Sequence, residues 1–260
     1  MSGYESIAIG GGDTATPLNL EKRLQVLLPF VEPGQTRFLD CGCGAGEYVL
    51  ALASRYAVEA FGLEHSAEKV RQAHRHETLK DRVQEGNLES IPFPDEAFGL
   101  ALLNEVLEHV PDEQKVLTEI RRVLRPGGRL VVFAPNRWFP FETHGVIARS
   151  SGRLLPPYVP LVPYIPVFLG RRFFRYWARN YGHGELRGLL VGAGFRIEST
   201  GYVWQTFENI SGTQPGWMGT AKPLLRRFAQ ALERTPLLRS FGVSQVLIVR
   251  KRFGESRTVT

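Results

Sequence analysis

Cysteine is scarce in this 260-residue chain: only Cys41 and Cys43 are present. Two thiols one residue apart are poorly placed to bridge each other, so a disulfide-built fold is excluded and a reducing compartment is expected. Metal binding by the pair would need further ligands nearby. Long apolar runs are also missing, since nothing reaches the ~18 uninterrupted apolar residues of a membrane-spanning helix. The first residues, Met1 to Pro17, lack the basic segment and apolar core of a signal peptide, so a cytoplasmic location is expected. Acidic residues are scarce in one part only. Residues 1–136 hold 20 Asp+Glu against 14 Lys+Arg, whereas residues 137–260 hold 6 against 18. Charge of one sign suits an anionic partner for the C-terminal region: a phosphorylated substrate, an anionic membrane surface or nucleic acid. An Arg-rich face that is simply solvated is the alternative. With 43% hydrophobic and 22% charged residues, the composition fits a globular protein with one large α/β domain and an elaboration.

What is present is organised around RFLDCGCGAGE, Arg37 to Glu47. Arg37 to Asp40 reads as a strand ending in a carboxylate, and Gly42, Gly44 and Gly46 allow a tight turn that a ligand can approach closely. Glu47 to Tyr56 has apolar residues at helical spacing, so the loop feeds a helix N-terminus with free N–H groups. The dinucleotide fingerprint G-x-G-x-x-G places a pyrophosphate at such a turn. Here the third glycine comes one residue early and Asp40 precedes the first by two. A carboxylate there repels a diphosphate and suits a ligand carrying an ammonium and a sulfonium. Glu64 closes the next apolar run, where an acid can accept hydrogen bonds from both ribose hydroxyls.

The rest of the chain continues the alternation. Strands are predicted near Arg37–Asp40, Val58–Leu63, Arg82–Glu85, Phe98–Leu103 and Arg129–Ala134, and helices near Gly46–Tyr56, Ala67–His76 and Asp112–Leu124. Leu186–Ala193 adds a helix, and Phe195–Val203 and Ser244–Lys251 add strands. This pattern implies a Rossmann-like, doubly wound, mostly parallel sheet with a ligand above the strands' C-terminal ends. Ahead of it, Leu18–Val31 reads as an amphipathic helix able to cap a sheet edge or the ligand site. The expected division is a flexible stretch at 1–16, a core at 17–136, an insertion at 137–182, a core continuation at 183–203, a second insertion at 204–243 and a last strand and tail at 244–260. In the first insertion Pro157, Pro160, Pro163 and Pro166 recur every three residues, which suggests an extended polyproline-like apolar lid. Arg171, Arg172, Arg175 and Arg179, mixed with Phe173, Phe174, Tyr176 and Trp177, follow it. That mixture suits a lipid-like substrate or an anionic bilayer surface, or packing against its own domain. The second insertion carries a predicted helix, Pro223–Arg234, fit for a wall of the site or an oligomer contact.

Together these features resemble the class I S-adenosylmethionine (SAM) methyltransferases, in particular the methyltransferase type 11 and UbiE/UbiG-like enzymes acting on small molecules. The likeness covers roughly residues 36 to 136, with an echo in Gly184 to Glu198. It implies a seven-stranded sheet with one antiparallel strand, SAM as cofactor and S-adenosylhomocysteine as product. It assigns cofactor contacts to Asp40, Cys41, Gly42, Gly44, Gly46, Glu64, the pair Asn87 and Leu88, and Asn104. At the first position of that pair the family more often has Asp. RPGG, Arg125 to Gly128, matches the turn before the fifth strand.

The predicted reaction is methyl transfer, most simply to an oxygen of a small or lipid-like acceptor, which calls for alignment and a base. His109, beyond the fourth strand, is the first candidate base, with a structural role as its alternative. His144 and His183 flank the first insertion and are the second and third. The order Glu105, Glu108, His109 and later His183 is similar to methyltransferases that hold a divalent cation beside the acceptor oxygen, while many metal-free relatives share the letters; the leading reading uses no metal. A nucleic-acid methyltransferase is the second enzymatic reading, supported by the basic region but not by any DPPY-type loop or Pro-Cys pair. A SAM-binding or membrane-associated accessory protein is the third. The acceptor itself is not written in the sequence.

Overall fold

The computed structural model describes residues 17–155, 159–165, 167–176, 178–204 and 217–252. A seven-stranded sheet is its frame, built from β1 (Arg37–Cys41), β2 (Glu59–Glu64), β3 (Val83–Glu85), β4 (Phe98–Asn104), β5 (Leu124–Pro135), β11 (Phe195–Val203) and β12 (Ser244–Lys251). The spatial order is β11-β12-β5-β4-β1-β2-β3. Neighbours from β5 to β3 run parallel, and β12 lies antiparallel to both β5 and β11. The chain order reverses between β1 and β4, and at that crevice the C-terminal ends of the strands leave room for a ligand. Strands β4, β5 and β12 read as near-continuous apolar runs because helices cover both of their faces.

On one face α1 (Pro17–Leu27), α2 (Glu47–Tyr56) and α3 (Ala67–Ala73) pack Leu24, Leu27, Val49, Leu52 and Val70 against Phe38, Leu102, Phe133 and Val246. On the other, α4 (Glu113–Val123) and α6 (His183–Gly192) bring Val116, Leu117, Ile120, Leu186 and Leu190 onto Leu39, Leu103, Val132 and Leu247. The caps are local. Ser66 accepts a hydrogen bond from the Lys69 N–H at 3.4 Å, and Asp112 from the Lys115 N–H at 3.0 Å, each satisfying a donor left free by the first helical turn. Strand β5 begins at Leu124, earlier than Arg129. Phe98 pairs with Leu124 and Leu100 with Arg129, so the RPGG residues bulge out of the ladder between two paired positions.

The segment between β5 and α6 is a small layer of its own. It holds β6 (Phe141–Glu142), β7 (Val146–Ala148), β8 (Leu154–Leu155), β9 (Val159–Pro160), a 3₁₀ turn at Val162–Tyr164, α5 (Val167–Phe173) and β10 (Phe174–Tyr176). Strand β6 pairs with β9, and β7 lies between β8 and β10. The expectation of one extended polyproline-like segment is therefore corrected for the described residues. Pro160 sits in a two-residue edge strand and Pro163 in the first turn of the 3₁₀ helix, places where a missing N–H costs nothing. Pro157, Tyr158, Pro166 and Trp177 lie outside the described residues, as do residues 1–16 of the expected flexible stretch. In the second insertion α7 (Trp217–Arg234) starts ahead of the predicted Pro223. Among the described residues no helix is long and apolar enough to cross a membrane.

Candidate active site

The turn after β1 is set by three glycines in the left-handed region, Gly42 (φ +82), Gly44 (φ +58) and Gly46 (φ +85). Their surroundings differ. A Cβ on Gly42 would lie 2.6 Å from a Val106 methyl, and one on Gly46 2.9 Å from Leu79, whereas one on Gly44 would meet nothing within 4 Å. Gly42 and Gly46 are therefore closed by the protein's own packing, and Gly44 faces open space. Gly42→Ala is expected to destabilise the fold by about 2–4 kcal/mol, from backbone strain plus overpacking. Gly44→Ala should cost only the backbone part, about 1–2 kcal/mol, yet weaken cofactor binding more. Thermal denaturation and calorimetry with SAM check the pair of outcomes.

Asp40, the penultimate residue of β1, is 1% exposed, and its Oδ2 has no hydrogen-bond partner. Burial, then the charges of Glu47 and Glu64, push its carboxyl well above the usual range. A buried, unpartnered carboxylate is costly unless a cation arrives. Glu64, at the end of β2, behaves in the opposite way. It accepts hydrogen bonds from the N–H groups of Gly44 (2.9 Å) and Ser66 (3.0 Å) and lies 2.9 Å from His65 Nδ1. Burial works against ionisation there, but these partners outweigh it and hold the carboxyl at about 2. Glu64 is thus a fixed anion clamped to the glycine loop. The orphaned oxygen of Asp40 and the space over Gly44 fit a cationic nucleoside such as SAM.

The other assigned residues are placed unevenly. The Cys41 side chain is buried in the core beside Leu39 and Leu103, so only its backbone is on offer to a ligand. Leu88 is buried and Asn87 exposed, with Asn87 Oδ1 accepting from the Glu89 N–H at 2.9 Å. At the tip of β4, Asn104 Oδ1 accepts from Arg23 Nη1, and Glu105, at φ +55, is held by Arg23 Nη2 at 3.0 Å and by the Ser244 hydroxyl. Burial opposes the Glu105 charge, but Arg23 and Ser244 keep its carboxyl below the usual range. Arg23 itself is buried, with its guanidinium 4.8 Å over the Phe133 ring. Sequence reading missed Arg23. It follows Lys22 in α1, and nothing local tells the two cations apart or marks the destination of Arg23, 81 residues away.

A second cluster stands just beyond, on the 3₁₀ turn Leu107–His109. The Glu108 side chain is wholly buried and neither oxygen has a hydrogen bond. His144 Nε2 lies 3.5 Å and His109 Nε2 3.8 Å from its Oε1, and the two imidazole rings are 5.3 Å apart at a steep angle. Behind His144, Glu142 is buried, accepts from the His144 N–H at 2.9 Å and receives Asn180 Nδ2 at 2.8 Å. Burial pushes Glu108 up to about 7, with Glu105 adding and His144 opposing. For His144 burial works downward, but Glu108, Glu105 and Glu142 leave its imidazole above the ordinary value. The alternative metal set, Glu105, Glu108, His109 and His183, is only partly brought together. Glu105 is engaged by Arg23, and His183 stacks 6.1 Å from the Tyr202 ring at the start of α6. Among the described residues, Glu108, His109 and His144 each place one ligand atom within 4.8 Å of the others.

Known proteins resemble the chain in sequence and in fold. Residues 39–132 match the family described as a methyltransferase domain. The chain is 40% identical over 100 residues, 36% of its length, to a demethylmenaquinone methyltransferase of Lactiplantibacillus plantarum, covering 42% of that protein. It is 32% identical over 162 residues, 62% of its length, to a probable S-adenosylmethionine-dependent methyltransferase of Mycolicibacterium smegmatis, covering 52% of that protein. The chain thus spans about half or less of these curated relatives. A SAM-dependent methyltransferase structure from Mesorhizobium loti superposes with a TM-score of 0.56 at 19% identity, covering 88% of this chain and 96% of that one, a likeness of fold. Strand order, glycine loop and sequence match converge on the same stretch: residues 39–132 match the methyltransferase domain family, set in a fold shared with a SAM-dependent methyltransferase structure.

Proposed function

We propose that the protein transfers a methyl group from SAM to an oxygen of a small or lipid-like acceptor, with His109 as the base. SAM supplies a methyl already activated on a positive sulfur, so the residues have to align the acceptor, exclude water and take its proton. The observation that carries this reading is Glu108, a wholly buried carboxylate whose neighbours are two imidazoles, His144 at 3.5 Å and His109 at 3.8 Å. His109 is the exposed member, at 44% of its side chain, and directs Nε2 at Glu108. Its Nδ1 would take the acceptor proton while Glu108 stabilises the imidazolium formed, the base-and-orienter logic of catalytic triads. His144 shares Glu108 from the inner side and holds it in place. The demethylmenaquinone acceptor named for one relative supports a small-molecule reading, and acceptor choice would lie in residues 137–181 and 204–243.

The decisive experiment is incubation with methyl-labelled SAM and a panel of phenolic and lipid-soluble hydroxyl compounds. Label recovered as a methyl ether supports the proposal, and label recovered only in RNA moves the acceptor to nucleic acid. Absence of SAM binding by calorimetry overturns it. A second reading has the same cluster hold a divalent cation, since one carboxylate and two imidazoles form a donor set that suits such ions. A cation there would lower the pKa of the acceptor hydroxyl. Full activity in EDTA rejects that reading. Loss in EDTA with recovery on adding a divalent salt, in wild type but not in His144→Ala, supports it.

A further inference from the structure

We propose that the outer face of the insertion, around Leu161, docks on an anionic lipid bilayer and sets the mouth of the acceptor site against it. Strand β6 links the two. Successive residues of a strand point to opposite sides, and Glu142 is buried toward His144 while Phe141 is 38% exposed. Phe141 lies opposite Pro160 in the β6–β9 ladder, and the next residue, Leu161, donates its N–H to the Pro140 carbonyl at 2.7 Å. Trp138 and Tyr164 extend the same patch. Their rings are 6.4 Å apart, and the Tyr164 hydroxyl donates to the Trp138 carbonyl at 2.8 Å.

Leu161 is the sharpest feature. It has φ +65, in the left-handed region that L residues seldom adopt, and is 62% exposed. The fold holds a large apolar side chain out to water from a position where glycine would sit with less strain. Trp138 (53% exposed) and Tyr164 (39%) have rings with polar tips, the kind that settle at the headgroup level of a bilayer. The charges of the same segment are of one sign. Residues 143–184 contain six Arg and no Asp or Glu, and Arg153, Arg171, Arg172 and Arg175 are exposed. On α5, Leu169 and Phe173 are exposed one turn apart beside them. A protein partner is met by both signs of charge and a groove, whereas exposed apolar side chains in a segment whose charges are all positive suit lipid headgroups.

This deepens the acceptor reading, since a mouth resting on a bilayer admits a lipid-soluble acceptor, but the test reads binding alone. The full chain is sedimented with phosphatidylcholine vesicles and with mixed phosphatidylcholine–phosphatidylglycerol vesicles, at low and high salt. Pelleting with the mixed vesicles only, weakened by salt, is expected. Leu161→Gly should bind about tenfold more weakly with melting temperature unchanged or raised, because glycine relieves the backbone. Arg171→Gln combined with Arg172→Gln should weaken binding about thirtyfold. No pelleting, equal pelleting with both vesicle types, or undiminished binding in both variants overturns the proposal. So does a dimer in analytical ultracentrifugation that Leu161→Gly dissociates while vesicles never bind. Vesicle binding by a protein that methylates nothing keeps the docking surface and removes only the acceptor reading.

Discussion

Asp40→Asn is expected to weaken SAM binding by roughly thirtyfold to several thousandfold, the range for removing one partner of a buried charge pair, while stabilising the protein without SAM. Both effects have one origin. Asp40 is buried with an oxygen that no group in the protein satisfies, so its charge serves only a ligand. Its carboxyl is raised above the ordinary value, first by burial and then by Glu47 and Glu64. Below the unfolded-state pKa the group is neutral in both states and adds no penalty. As pH rises through the folded-state value, the ligand-free protein must ionise a buried, unpaired group and loses stability. The melting temperature of Asp40→Asn relative to wild type should therefore climb with pH. A cation bound beside Asp40 favours its ionised form, so wild-type SAM affinity should increase with pH while that of the variant stays flat. Calorimetry and thermal melts across pH measure both slopes. A variant that binds SAM as wild type does would remove Asp40 from the site.

Turnover should fall about 10²- to 10⁴-fold in His109→Ala, the usual contribution of a positioned base, with SAM affinity unchanged. Glu108→Gln should lower turnover in the same direction and alter the pH profile. In wild type, Glu108 sits at about 7 and His144 above the ordinary histidine value, two groups facing each other across 3.5 Å. With both protonated, Glu108 cannot stabilise an imidazolium on His109. As pH rises through the region near 7 the cluster sheds a proton, the anion appears and the rate should increase. In Glu108→Gln that rise near 7 should disappear. An intact pH profile in Glu108→Gln would show that the carboxylate does not act through the base. Steady-state kinetics over pH, paired with SAM binding, separates these results from a folding defect.

Much of the core was legible because its signals are local. The apolar runs of β1, β2, β4 and β5 and the helical spacing of α2 and α4 each depend on residues a few positions apart. The glycine loop is equally local, since three left-handed positions in five residues admit little but glycine. The proline repeat misled because period alone was read as an extended helix. Prolines at strand edges and in the first turn of a 3₁₀ helix satisfy the same ring constraint in a folded layer.

The sequence by itself determined a parallel α/β frame and a carboxylate-flanked glycine turn suited to a sulfonium nucleoside, because hydrophobic period and backbone freedom are properties of neighbouring residues. Only the tertiary structure decided which acids stay charged and which histidines meet. Glu64 is an anion because His65 and the Ser66 and Gly44 amides reach it, whereas Asp40 Oδ2 finds no hydrogen-bond partner. His144 rather than His183 joins Glu108, because the β6–β9 layer folds back over the end of β4. Burial and long-range approach set those charges, and neither is written in any one stretch of chain.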